Sequence, residues 1–260
     1  MLLAIDVGNT NIAIGIFLGD ELTVSWRLAS VPGRTADELW VIVSRLFAER
    51  GVDTDLITGV ILSSVVPTVT ESVAKMVEQG FGQQVLHVDS SNTGLPILYE
   101  HPNEVGADRL VNSVAARALY GEIDRPVIVV DFGTATTFDV ISTAGEYLGG
   151  IICPGVEISA DALFERAARL PRVDIQRPVA LIGRTTVGAM QSGLFYGYVA
   201  MIEGIIERLN SSMSEAQPST CVATGGLAEK MAPEVQFINH VNLNLTLVGL
   251  KLIWEKNVRR

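Results

Sequence analysis

Two short runs of this chain are versions of one another, and that repeat constrains the fold more than any other feature. Leu2 to Ile5 is an apolar run that ends in Asp6-Val7-Gly8-Asn9-Thr10-Asn11, and Ile12 to Phe17 is apolar again. Val127 to Val130 ends in Asp131-Phe132-Gly133-Thr134-Ala135-Thr136-Thr137, followed by Phe138 to Ile141. Each reads as strand, tight Asp-x-Gly turn, strand. The two aspartates are 125 positions apart (131 − 6), close to half of the 260 residues. Two similar halves are expected, each carrying one such hairpin.

The rest of the pattern alternates strand and helix. Helical stripes fall at 36–48, 69–81, 108–120, 159–170, 186–209 and 247–257, and strand-like runs at 22–28, 57–66, 85–88, 147–152 and 220–224. This predicts an α/β fold with two similar α/β halves around a central cleft, the first over residues 1–116 and the second over 117–260. A hydrophobic fraction of 48% allows a sizeable core. A net charge of −10 argues against a nucleic-acid partner. Cys153 and Cys221 form neither a disulfide framework nor a metal cluster. The apolar start is cut by Asp6 and has no basic leader, so a signal peptide is not expected. No run approaches the about 18 apolar residues that a membrane helix needs. A soluble, cytoplasmic protein is expected.

In the first turn, Gly8 permits close approach of a phosphate. Backbone N–H groups and the Asn9, Thr10 and Asn11 side chains can close on its oxygens. Asp6, at the strand end, is placed to hold Mg²⁺ through water. An isolated Asp-x-Gly-Asn is usually an ordinary hairpin; the second copy at Asp131 favours a nucleotide-phosphate clamp. There is no Walker-type P-loop and no Gly-x-Gly-x-x-Gly. Thr224-Gly225-Gly226 follows a strand and reads as opening a helix; alone it suits an adenosine or a plain strand-to-helix turn, and beside the two Asp-x-Gly turns the adenosine reading is favoured. Gly106-Ala107-Asp108-Arg109 begins another helix. Asp108 there reads equally as an N-cap and as a carboxylate that accepts a substrate proton beside an anion-pairing arginine. Thr35 and Glu38 have capping-box spacing, and Thr185 or Thr186 caps the long helix or faces a ligand.

Taken in order, Asp6-x-Gly-Asn-Thr-Asn, Arg34-Thr-x-Asp-Glu, Gly106-Ala-Asp-Arg, Asp131-Phe-Gly-Thr, Gly149-Gly-x-Ile-x-Pro-Gly, Gly183-Arg-Thr-Thr, Gln191-Ser-Gly and Thr224-Gly-Gly-Leu resemble type III pantothenate kinases. The tail Leu245-Thr-Leu-x-Gly-Leu fits too, with Val248 where the family often has an acid. The resemblance implies the actin-like ATPase superfold, related to ribonuclease H, and ATP-dependent phosphorylation of pantothenate in coenzyme A biosynthesis. It implies that Asp6, Val7, Gly8, Asn9, Thr10, Asn11, Ile12 and Ala13 form the first phosphate stretch, and that Thr134 contacts ATP. It implies Asp108 as proton acceptor, and a pantothenate pocket of Tyr99, Gly106, Ala107, Asp108, Arg109 and Thr186. A monovalent cation, K⁺ or NH₄⁺, is implied at Asp131, and a homodimer for the whole. A regulatory relative would be expected to have lost Asp6, Asp108 or Asp131, and all three are present.

Overall fold

The computed structural model describes residues 1–213 and 215–258. The chain divides into two compact units. The first comprises Met1–Leu95, Glu100–Ala115 and the C-terminal stretch from Asn244; the second comprises Pro96–Tyr99 and Ala116–Leu243.

In the first unit, β1 (Leu2–Val7), β2 (Asn11–Leu18) and β3 (Glu21–Ala29) form an antiparallel meander, and β4 (Gly59–Ser64) and β5 (Val85–His87) add in parallel. The order is β3-β2-β1-β4-β5. Alternate residues of β1 serve opposite faces. Leu3, Ile5 and Val7 pack with Leu39, Val43 and Phe47 of α1 (Ala36–Arg50) and Val69, Val73 and Met76 of α2 (Pro67–Phe81). Leu2 and Ala4 pack with Val111 of α3 (Ala107–Tyr120) and with Leu247, Leu250 and Ile253 of α7 (Leu245–Val258). The predicted capping box is present: Thr35 accepts from the Glu38 N–H, and Glu38 accepts from the Thr35 N–H.

The second unit repeats the plan. Its strands are β6 (Val127–Phe132), β7 (Ala135–Ile141), β8 (Tyr147–Pro154), β9 (Thr220–Thr224) and β10 (Ile238–Val241). Their order is β10-β9-β6-β7-β8, the same meander with two parallel additions. The repeat seen in the sequence is therefore a repeat of whole sheets. Two helices dominate this unit: α4 (Val156–Arg166) and α5 (Thr186–Ser212). Leu194, Phe195, Val199, Ile202 and Ile206 of α5 pack on Ile128, Val130, Phe132 and Phe138. The first of these two helices starts three residues earlier than its apolar stripe predicts, because Gly155 caps it in extended conformation. The helix expected after Gly226 is a single turn, α6 (Ala228–Met231), followed by a short 3₁₀ turn at Ala232–Glu234. The strand β10 carries too weak an alternation to be read from sequence.

Candidate active site

Asp6 lies near the end of β1, in register with Ala13 of β2 and Ser63 of β4. Ser63 is fully buried, and its hydroxyl donates to Asp6 Oδ1 at 2.5 Å. Burial pushes the Asp6 carboxyl up to about 7; the Ser63 bond opposes this, and the charge of Asp108 adds to it. Asp6 and Asp108 thus sense one another within the first unit. Asp108 sits inside the first turn of α3, not ahead of it, so it is not the N-cap. Its Oδ1 accepts the Arg109 N–H at 2.8 Å. Burial raises its affinity for a proton, against that backbone bond and the positive charge of Arg109. A carboxyl raised in this way is a better base than one on an open helix start. Gly106 makes room for it: a methyl there would lie 2.6 Å from Asp108 Oδ1.

The first turn closes through a Gly8 N–H bond to Asn11 O at 2.9 Å. Asn9, Thr10 and Asn11 are exposed on it. Val7 and Ile12 are core residues, so only their main chain is available to a ligand, while Ala13 is half-buried. Sequence reasoning missed Ser63. The repeat itself holds the signal, because Asp131 is paired in register with Thr224 as Asp6 is with Ser63. Each is a hydroxyl residue at the end of an apolar strand.

In the second unit the turn is tighter, with Gly133 N–H donating to Ala135 O at 3.1 Å. Thr134 is exposed on that turn, and its carbonyl accepts the Gly155 N–H at 3.1 Å. Gly225 and Gly226 differ in kind. Gly225 has φ +93°, and a methyl there would lie 2.4 Å from Asp131 Oδ1 and 2.7 Å from the Phe132 backbone. Around Gly226 a methyl would meet nothing within 4 Å. Gly225→Ala is therefore expected to destabilise the fold by roughly 2–4 kcal/mol, from strain plus clash, and Gly226→Ala by little. Equal denaturation midpoints for the two variants would refute this.

Tyr99 belongs to a short stretch that runs along β8. Tyr147 N–H donates to Pro96 O at 2.8 Å, and Leu98 N–H donates to Tyr147 O at 2.8 Å. The ring of Tyr147, held by its hydroxyl bond to buried Asp139 at 2.8 Å, lies 6.5 Å from that of Tyr99. Thr185 caps α5 by accepting the Gly188 N–H, which leaves Thr186 exposed as the first helical residue. The expected pantothenate residues thus divide, with Gly106 to Arg109 in the first unit and Tyr99 and Thr186 in the second.

The site residues fit the cations that ATP chemistry uses. A carboxylate held near neutrality by burial, as Asp6 is, gains most from a nearby divalent ion. In the second unit, glycine at 225 lets the main chain pass close beside Asp131 Oδ1 without a side chain to crowd the carboxylate. Among the described residues no group of three His, Cys, Asp or Glu side chains comes together to cage a metal. Mg²⁺ would then draw its remaining ligands from phosphate and water.

A sequence model of the family described as type III pantothenate kinase matches residues 2–208. Relatives bearing that description are 53% identical in Moorella thermoacetica, over 99% of this chain and 100% of that protein, and 49% identical in Myxococcus xanthus, over 99% of each. The chain belongs to the type III pantothenate kinase family. More distant structures share the fold alone. One is a Campylobacter jejuni protein described as a Baf family transcriptional activator (TM-score 0.60, 19% identity, 99% of this chain and 100% of that one). Another is a ROK family glucokinase from Streptomyces griseus (TM-score 0.53, 14% identity, 98% and 99%). Each unit thus carries the mixed five-stranded sheet with helices expected of the actin-like ATPase fold that the motifs imply.

Proposed function

We propose that this chain transfers the γ-phosphoryl group of ATP to the primary hydroxyl of pantothenate, giving 4′-phosphopantothenate for coenzyme A biosynthesis. Full-length likeness to type III pantothenate kinases carries this reading, and the raised carboxyls of Asp6 and Asp108 support it. Asp108 accepts the hydroxyl proton as the oxygen bonds to the γ-phosphorus. The bond from that phosphorus to the bridging oxygen breaks, and ADP leaves. Arg109, buried beside Asp108, supplies positive charge for an anionic group. Asp6 to Ala13 and the Thr134 turn take the phosphates, and Gly225 and Gly226 border the adenosine. Tyr99, Gly106 to Arg109 and Thr186 take pantothenate. Asp6 holds Mg²⁺ through water and Asp131 a K⁺ or NH₄⁺ ion; these cations neutralise phosphate charge.

The protein acts in the cytoplasm as a homodimer. No described helix is long and apolar enough to cross a membrane. The apolar stripe of α5 is spent on its own core. A second copy is placed on the apolar exposure between Ile158 and Val187, where Phe164, Val179, Leu181 and Ile182 face solvent.

ATP consumption with Mg²⁺ and pantothenate, run with K⁺ and then with Na⁺ as the sole monovalent cation, tests the reading. Pantothenate-dependent turnover that needs K⁺ is expected. Turnover indifferent to the cation would remove the Asp131 assignment, and none from folded protein would remove the reaction.

A further inference from the structure

Tyr198 has no part in the chemistry above, yet its hydroxyl meets the segment on which the second phosphate turn rests. From α5 it lies 2.5 Å from Ser159 Oγ, 3.0 Å from Pro154 O and 3.2 Å from Gly155 O. The two carbonyls can only accept, so Tyr198 gives them its single proton and the Ser159 hydroxyl donates to Tyr198. The same Gly155 carbonyl also accepts the Ser159 N–H at 3.0 Å, which closes the first turn of α4. The Tyr198 hydroxyl therefore holds the carbonyl of the Pro154–Gly155 peptide, and together with the Ser159 N–H it holds the carbonyl of the next peptide.

The Pro154–Gly155 peptide in turn supports Thr134. Gly155 N–H donates to Thr134 O at 3.1 Å. The approach is so close that a methyl on Gly155 would lie 2.2 Å from Thr134 O and 2.7 Å from Gly133 O. All of these residues lie in the second unit. The Gly133–Thr134 turn has two residues between strands and rests directly on the peptide that Tyr198 holds. Phosphate recognition by such a turn depends on placement to within a fraction of an ångström.

We propose that Tyr198, helped by Ser159, is a positioning residue that fixes the Thr134 turn for binding the nucleotide phosphates. This rests on the assignment of Thr134 to ATP made above. Tyr198→Phe keeps the ring, which packs against the core of this unit, and removes only the hydroxyl.

Steady-state kinetics on the full chain should show the KM for ATP raised about five-fold in Tyr198→Phe, the loss expected of one hydrogen-bond network. The KM for pantothenate should be unchanged, and Tm should fall by no more than about 4 °C. Ser159→Ala, which leaves Tyr198 its carbonyl bonds, should move the ATP KM the same way and less far, and serves if Tyr198→Phe does not fold. An unchanged ATP KM, or equal rises in both KM values, would overturn the proposal. Direct titration with a non-hydrolysable ATP analogue separates it from the reaction assignment. If the wild-type protein binds the analogue but does not phosphorylate pantothenate, the substrate reading falls, and weaker binding by Tyr198→Phe still upholds the positioning role. If the wild-type protein binds no analogue, both fall.

Discussion

Asp108→Asn is expected to lower kcat by about 10²–10⁴-fold and to leave both KM values and Tm close to wild type. The amide has the same shape and keeps an oxygen for the Arg109 N–H, which Asp108 Oδ1 accepts at 2.8 Å. What it loses is the capacity to take a proton. Because the residue stands within the first turn of α3, no N-cap is lost with it. Burial raises the wild-type carboxyl, so the acid limb of the kcat profile should lie above the ordinary carboxylate range, and the variant should lack that limb. A kcat within a few-fold of wild type would take Asp108 out of the mechanism. A collapse of Tm would make its role one of folding.

Asp6→Asn should act in opposite directions on activity and stability. Turnover with Mg-ATP should fall by at least about 10²-fold, since a neutral amide offers Mg²⁺ no charge. Ligand-free protein should become more stable above neutral pH. The Asp6 carboxyl titrates at about 7 in the folded chain against an ordinary 3.8, so the fold prefers the protonated form. Its penalty is absent below 3.8, grows as pH rises through that window and is complete above about 7. The gap sets a ceiling of about 4 kcal/mol on the gain from the amide at pH 8. Melting both proteins at pH 5 and pH 8 without nucleotide checks the sign: the variant's advantage must be larger at pH 8. An advantage that shrinks with pH would mean that Asp6 is already neutralised by a partner.

What could be read from the sequence was local. The two hairpins were legible because each joins an apolar strand to an Asp-x-Gly turn. The Thr35–Glu38 box was legible because its partners are three residues apart. The residues that complete the candidate site are bound over distance. Ser63 lies 57 positions from Asp6, and Tyr198 lies 43 from Gly155. No periodicity marks such pairs; only the register of a parallel strand or the crossing of two helices creates them. Gly225 reads like its neighbour Gly226, and only the packed backbone of Phe132 tells the two apart. The divided chain was equally hidden. The stripe at 247–257 gives a helix without saying which sheet it covers.

That last helix has a consequence for the protein's synthesis. Leu247, Leu250 and Ile253 close a core around Leu2, Ala4, Phe17 and Ile61, and the indole of Trp254 lies against Gly59, where a methyl would be 2.2 Å from the ring. The first sheet is complete at His87, but the apolar face on which Val111 also packs stays partly uncovered until some 160 further residues have been added (245 − 87 = 158). The second sheet has its strands and its covering helix α5 within one uninterrupted segment. Order of translation and order of completion are therefore reversed: the half begun first is finished last. Ribosome-stalled chains ending before residue 245 should accordingly protect the second sheet from protease sooner than the first.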